Sequence, residues 1–104
     1  MRSPISPDEL KSLLETGRVA LIDVRRKADY QADPHLIPGA TWRNPEEVES
    51  WSRELPQDRP VVLYCVKGGS VSQSITDTLT RKQISACYVE GGFKAWKEAG
   101  GPTK

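Results

Sequence analysis

The sequence predicts an α/β fold: three layers, α/β/α, with a central, mainly parallel sheet of about five strands flanked by helices on both faces. Three observations carry that prediction. Short β-branched runs alternate along the chain with amphipathic stretches of helix length, the order from which parallel sheets are wound. One run, Val61-Val62-Leu63-Tyr64, contains no charged position, as expected of a strand covered on both faces. Two helix starts carry capping residues at the right spacing, so those helices are specified locally.

The 104 residues suffice for one small domain, spanning 1–104, with a single core. A content of 37% hydrophobic and 28% charged residues is that of an ordinary globular protein. Fifteen basic and fourteen acidic side chains nearly cancel, so charge offers no argument for nucleic acid or an acidic membrane, and neither is expected as a partner. No apolar run approaches membrane-spanning length, and the N-terminal Met-Arg-Ser-Pro-Ile-Ser-Pro lacks a secretion signal's apolar core. Two cysteines outside any Cys-x-x-Cys pair, with one histidine, argue against a disulfide framework and against zinc. A cytoplasmic protein with reduced thiols is expected, with no metal or cofactor, as a monomer or weak dimer.

Ser6-Pro7-Asp8-Glu9 opens the first helix: Ser6 caps, Pro7 takes the first turn and Glu9 closes a capping box. Ile5 is placed to staple against Leu10, and Leu10, Leu13 and Leu14 form the buried stripe before Gly17 ends the helix. The expected span is Pro7 to Thr16. Val19 to Ile22 then reads as a strand, with Asp23 at its end, where α/β proteins place working groups. Arg26 to Ala32 reads as a short polar helix with Tyr30 inward, interrupted by Pro34. The Pro38-Gly39 turn feeds an extended piece at Thr41-Trp42.

Asn44 and Pro45 start a second capped helix, with Val48, Trp51 and Leu55 on one face. After the Val61–Tyr64 strand and its loop, a helix from about Val71 to Lys82 buries Val71, Ile75 and Leu79 at four-residue spacing. Its other positions are rich in Ser and Thr, so its own propensity is modest. Ala86 to Val89 is the last strand, Gly91-Gly92 a turn, and Phe93, Ala95 and Trp96 lead a final helix that stops at Gly100-Gly101-Pro102.

The chemistry gathers at Cys65, between the buried strand and a helix N-terminus, with Gly68, Gly69 and Ser70 following. Such a thiol meets backbone N–H groups and the positive end of a helix dipole, a setting for an anionic sulfur. Glycines let the loop curl so that its amides make an anion cradle. The sequence therefore nominates Cys65 as a nucleophile.

Four blocks resemble the rhodanese (sulfurtransferase) domain: Leu21-Ile22-Asp23-Val24-Arg25; His35-Leu36-Ile37-Pro38-Gly39-Ala40; Tyr64-Cys65-Val66-Lys67-Gly68-Gly69-Ser70; and Glu90-Gly91-Gly92-Phe93-Lys94-Ala95-Trp96. Each alone is weak; together, in order, they span nearly the whole chain. The resemblance implies a rhodanese-like fold and sulfane sulfur transfer. Cys65 would take sulfur from a small anionic donor such as thiosulfate and pass it, as a persulfide, to cyanide, a thiol or a protein acceptor. It also implies a donor site built from Val66, Lys67, Gly68, Gly69, Ser70 and Val71, with Arg25 at its mouth. Many family members carry arginine where this chain has Ser70, so Lys67 is the only loop cation. Lysine meets an oxyanion as a point charge, without a bidentate fork.

Each residue also has a plainer role. Cys65 could be a small core hydrophobe, as Cys87 is expected to be in its strand. Lys67 could be a solvated loop lysine, and the glycines could serve only the turn. Asp23 is expected in a structural ion pair, Arg25 either at the site or paired, and His35 in a structural role. Trp42, Trp51 and Trp96 read as packing, with Trp42 a candidate for the site entrance. A phosphatase or arsenate reductase on a similar fold needs arginine six residues after its cysteine; Val71 stands there instead. A non-catalytic regulatory module, or a persulfide carrier serving a protein partner, is the other alternative.

Overall fold

The structure, a computed structural model, describes residues 3–104; Met1 and Arg2, the first residues of the polar N-terminal segment, lie outside the described residues. Helix α1 spans Pro7–Thr16 as expected: Ser6 Oγ accepts from the Glu9 N–H, the Glu9 carboxylate accepts from the Ser6 N–H, and Gly17 closes the helix at φ 68°. Strand β1 (Ala20–Asp23), helix α2 (Lys27–Ala32) and strand β2 (Thr41–Trp42) follow. The Asn44 helix is broken. Asn44 caps as predicted, but the segment runs as a 3-10 turn (Pro45–Glu47), one α-turn α3 (Val48–Trp51) and another 3-10 turn (Ser52–Glu54). Trp51 anchors it, buried and donating its indole N–H to the Asn44 carbonyl at 2.8 Å. Strand β3 (Val61–Tyr64), helix α4 (Ser70–Arg81), strand β4 (Ala86–Tyr88) and helix α5 (Gly92–Glu98) complete the chain.

The sheet has four strands, all parallel, in the order β2-β1-β3-β4, one fewer than the five expected. The place of a fifth strand is held by one residue, Ile5, whose N–H donates to the Tyr88 carbonyl at 2.9 Å and whose carbonyl accepts from Glu90 at 2.7 Å. It cannot lengthen: Pro4 has no N–H to pair, and Ser6 is committed to capping α1.

The continuous apolar run in β3 is explained by two cores. Val62 and Tyr64 face a cluster with Ile5, Leu10, Phe93 and Trp96, which α1 and α5 cover. Val61 and Leu63 face a cluster with Trp51, Ile75 and Leu79, which α3 and α4 cover. All four β3 residues are buried. Helix α4 is held by Ile75 and Leu79 rather than by propensity, and it buries two hydroxyls, Ser72 Oγ and Thr76 Oγ1, without hydrogen-bond partners among the described residues. Among the described residues, no helix is long and apolar enough to cross a membrane.

Strand order fixes where chemistry can sit. From β1 the chain moves outward to β2; from β3 it moves the opposite way, through α4, to β4. The C-terminal ends of β1 and β3 are neighbours, pairing Asp23 with Tyr64, and the loops leaving them diverge. That divergence opens a crevice at the carboxyl edge of the sheet, where open α/β sheets hold ligands.

Candidate active site

Cys65 lies in that crevice, one residue beyond β3 and 6% exposed. It lines a cavity of about 170 Å³ together with Val66, Lys67, Gly69, Ser70 and Val71, and with Arg25, Arg26 and Asp29 from the β1 side. A space this small suits a small oxyanion, being below the roughly 300–1,000 Å³ of sites for drug-sized molecules. Among the described residues, the N–H groups of Val66, Lys67, Gly68, Gly69 and Ser70 donate to no backbone carbonyl and no side chain. Five consecutive amides without partners follow the cysteine at the start of a twelve-residue helix, and four of those residues, Val66, Lys67, Gly69 and Ser70, line the cavity, a setting with capacity for negative charge.

The loop's shape is set by the Gly91-Gly92 turn. Phe93 N–H donates to the Cys65 carbonyl at 2.8 Å and Lys94 N–H to the Val66 carbonyl at 3.0 Å. Backbone lies against backbone here. A Cβ on Gly68 (φ +69°) would sit 2.8 Å from Gly91 N and Val89 O, and a Cβ on Gly92 (φ +60°) would sit 2.4 Å from Cys65 O and 2.5 Å from Gly68 N. The Glu90-Gly91-Gly92-Phe93 block is thus the clamp behind the cysteine loop. Helix α4 starts at Ser70, one residue earlier than expected, with Gly69 as its cap. Ser70 is therefore the first residue of the helix at the cavity wall.

Arg25 lines the cavity, and its guanidinium pairs inward, the second of the two placements the sequence left open. Its Nη2 lies 2.7 Å from Asp23 Oδ2, and its Nε donates to Asp23 Oδ1 and Oδ2 at 3.1 and 2.9 Å. Nη1 and Nη2 donate to the Asp33 and His35 carbonyls at 2.8 Å each, and the group lies 4.6 Å from the Phe93 ring centre. With Arg25 2% and Asp23 0% exposed, this is a buried ion pair, the structural role expected of Asp23. Burial pushes the Asp23 carboxyl above its ordinary range, and Arg25's hydrogen bonds pull it back. The Tyr64 hydroxyl accepts from the Ile37 N–H at 3.2 Å and donates to the Asp23 carboxylate, and burial, followed by the Asp23 charge, raises it well above an ordinary phenol.

His35 points to solvent, 63% exposed, with Nδ1 2.7 Å from Asp33 Oδ1; its hydrogen bond holds Asp33 below the usual carboxylate value. Trp42 packs rather than lining the Cys65 cavity, stacking on Tyr30 with ring centres 4.8 Å apart and donating to the Arg25 carbonyl at 2.9 Å. Arg26 and Asp29 were not nominated by the sequence. Their signal is positional: both follow within six residues of the β1 end, at the sheet edge where Cys65 stands.

Cys87 is the opposite of Cys65. It is 0% exposed in the α1/α5 core, and burial pushes its thiol from 9.0 up to about 11. It is expected to stay unlabelled by a thiol reagent at pH 8 while the fold is intact, and to react only on unfolding. Its raised value favours the folded state below pH about 9 and loses that contribution as pH climbs towards 11. Titrating labelled thiols with and without denaturant checks this; two fast-reacting thiols in native protein would contradict it.

A family model for the rhodanese-like domain matches residues 6–99. The chain belongs to the rhodanese-like domain family. It is 33% identical over 99 residues to a Mycobacterium tuberculosis protein named probable adenylyltransferase/sulfurtransferase MoeZ, covering 90% of this chain and 24% of that one. It is 29% identical over 98 residues to the thiosulfate sulfurtransferase GlpE of Coxiella burnetii, covering 93% of this chain and 89% of the relative. The chain thus spans about a quarter of the mycobacterial relative's length. In three dimensions it matches the rhodanese-like domain of Anabaena Alr3790 with a TM-score of 0.84 at 28% identity, over 100% of this chain and 80% of that one.

Proposed function

We propose that this protein moves sulfane sulfur from thiosulfate or a related anionic donor to a thiophilic acceptor, through a persulfide on Cys65. The observation that carries the proposal is a cysteine in a cavity of anion size, followed by five loop residues whose N–H groups have no hydrogen-bond partner among the described residues. In the first half-reaction the Cys65 thiolate attacks the outer sulfur of thiosulfate; the donor's S–S bond breaks and sulfite leaves. In the second, cyanide or a thiolate attacks the outer sulfur of the persulfide, and Cys65 leaves as thiolate. Charge is conserved in each step, and no outside oxidant or reductant is consumed. The loop's part is electrostatic: N–H groups and the α4 dipole stabilise the anionic sulfur, and Lys67 attracts the donor's oxyanion.

A second reading has one observation in its favour. With Lys67 as the single loop cation and no arginine fork, a weaker hold on thiosulfate is expected. The protein would then act as a persulfide carrier or regulatory module for a protein partner, with little turnover of thiosulfate.

Incubation with thiosulfate is expected to add one sulfur atom, seen by intact-protein mass spectrometry. Cys65→Ser should abolish the addition and Cys87→Ser should retain it. Lys67→Ala should raise the KM for thiosulfate about three- to tenfold, the scale of an exposed to partly desolvated charge contact, and change a neutral donor less. Sulfur found on Cys87 alone would overturn the proposal, and equal effects on both donors would remove Lys67 from the anion site.

A further inference from the structure

The largest cavity beside the site, about 640 Å³, does not contain Cys65. It adjoins the Cys65 cavity, sharing Arg26, Ser70 and Val71 as walls. Beyond that junction it runs along the first turns of α4 past Ser74, with Lys27 on the α2 side and Glu46 on the side of the Asn44 segment. Among the described residues, neither Arg26 nor Lys27 has an ion-pair partner, and both are exposed. Two unpaired cations therefore face this space against one carboxylate.

We propose that this groove is the acceptor subsite, and that it selects small organic thiols bearing a carboxylate. The proposal rests on the persulfide chemistry above and names the class of its second substrate. Three features point the same way. The groove is several times too large for cyanide or thiosulfate, so it suits a molecule with a body. It opens onto the sulfur site, so a thiol can reach Cys65 while that body lies along α4. Its charges are two unpaired cations to the one carboxylate of Glu46, with Arg26 at the junction and Lys27 further out, so an acceptor's carboxylate finds a partner away from the reacting sulfur. The acceptor's thiolate attacks the outer sulfur of the Cys65 persulfide, the persulfide S–S bond breaks, and a new S–S bond forms on the acceptor. Its thiol proton goes to solvent.

The test loads Cys65 with sulfur, removes the donor, and measures transfer to 3-mercaptopropionate and to neutral 2-mercaptoethanol. Lys27→Ala is expected to raise the KM for 3-mercaptopropionate about threefold, as for an exposed charge contact, and to leave 2-mercaptoethanol unchanged. Glu46→Gln should lower the same KM by a similar factor. Independently of any sulfur chemistry, 3-(methylthio)propionate should shift the amide NMR signals of Arg26, Lys27 and Ser74, and Lys27→Ala should weaken that binding. A ratio of KM values between the two thiols that neither variant moves would overturn the subsite. Failure to load Cys65 at all would count against the sulfurtransferase reading, and the binding measurement would still decide the groove.

Discussion

Gly92→Ala is expected to destabilise the protein by about 3 kcal/mol and to slow sulfur loading about a hundredfold. Gly92 sits at φ +60°, where a residue with a side chain pays roughly 1–3 kcal/mol of backbone strain. The new methyl would also lie 2.4 Å from the Cys65 carbonyl oxygen and 2.5 Å from Gly68 N, and both neighbours are backbone. Neither can rotate away as a side chain would. Either the turn retreats, breaking the Phe93 N–H bond to the Cys65 carbonyl, or the cysteine loop does. Both outcomes misplace the open amides relative to the sulfur, and an error of about 1 Å in such positioning can cost two orders of magnitude in rate. Gly69→Ala is the control for stability, because a Cβ there meets nothing within 4 Å. Denaturant unfolding and the loading rate measured well below the midpoint check the pair. A Gly92→Ala protein that unfolds and loads like the parent would show that the clamp does not shape the loop.

That clamp illustrates what the sequence discloses and what it conceals. Local chemistry was legible. Ser6 and Glu9 cap α1 where the capping pattern placed them, and Val61–Tyr64 is the strand its β-branched run announced. Cys65 stands at a strand–loop–helix junction because the glycines after it mark that junction. Gly91-Gly92 was legible only as a turn. Its second role, as the surface on which the cysteine loop rests, depends on residues more than twenty positions apart meeting backbone to backbone. The Asn44 helix was overcalled because periodicity records which side chains face the core, not whether i to i−4 hydrogen bonds close behind them. Trp51 reaches the core from a broken helix as well as from a regular one. The acceptor groove was invisible for the same reason as the clamp: Arg26, Glu46 and Ser74 come from three separate segments.

The sequence left Arg25 open between site and ion pair, and removing it is expected to cost about 3–5 kcal/mol, the loss typical of breaking a buried ion pair. Arg25→Ala leaves the Asp23 carboxylate, 0% exposed, without its bidentate partner, and frees the Asp33 and His35 carbonyls. Arg25→Lys should recover only part, since an ammonium cannot span Asp23 and two carbonyls at once. The pH dependence has a definite sign. Burial already raises Asp23, and loss of Arg25 leaves only the Tyr64 hydrogen bond to pull it down. The folded variant then holds a proton that the unfolded chain releases, so Arg25→Ala should regain stability as pH falls from 8 towards 5. Replacing both partners, as Asp23→Leu with Arg25→Met, should cost less than the two single changes added. Kinetics separate this role from donor binding. At a temperature where Arg25→Lys is folded, a structural arginine predicts a KM for thiosulfate within about twofold of the parent, a change smaller than 1 kcal/mol. A tenfold rise in KM with no loss of stability would return Arg25 to the donor site. The ion pair would then be a tether that positions the arginine for substrate, rather than a tie between the β1 end and the Asp33–His35 loop.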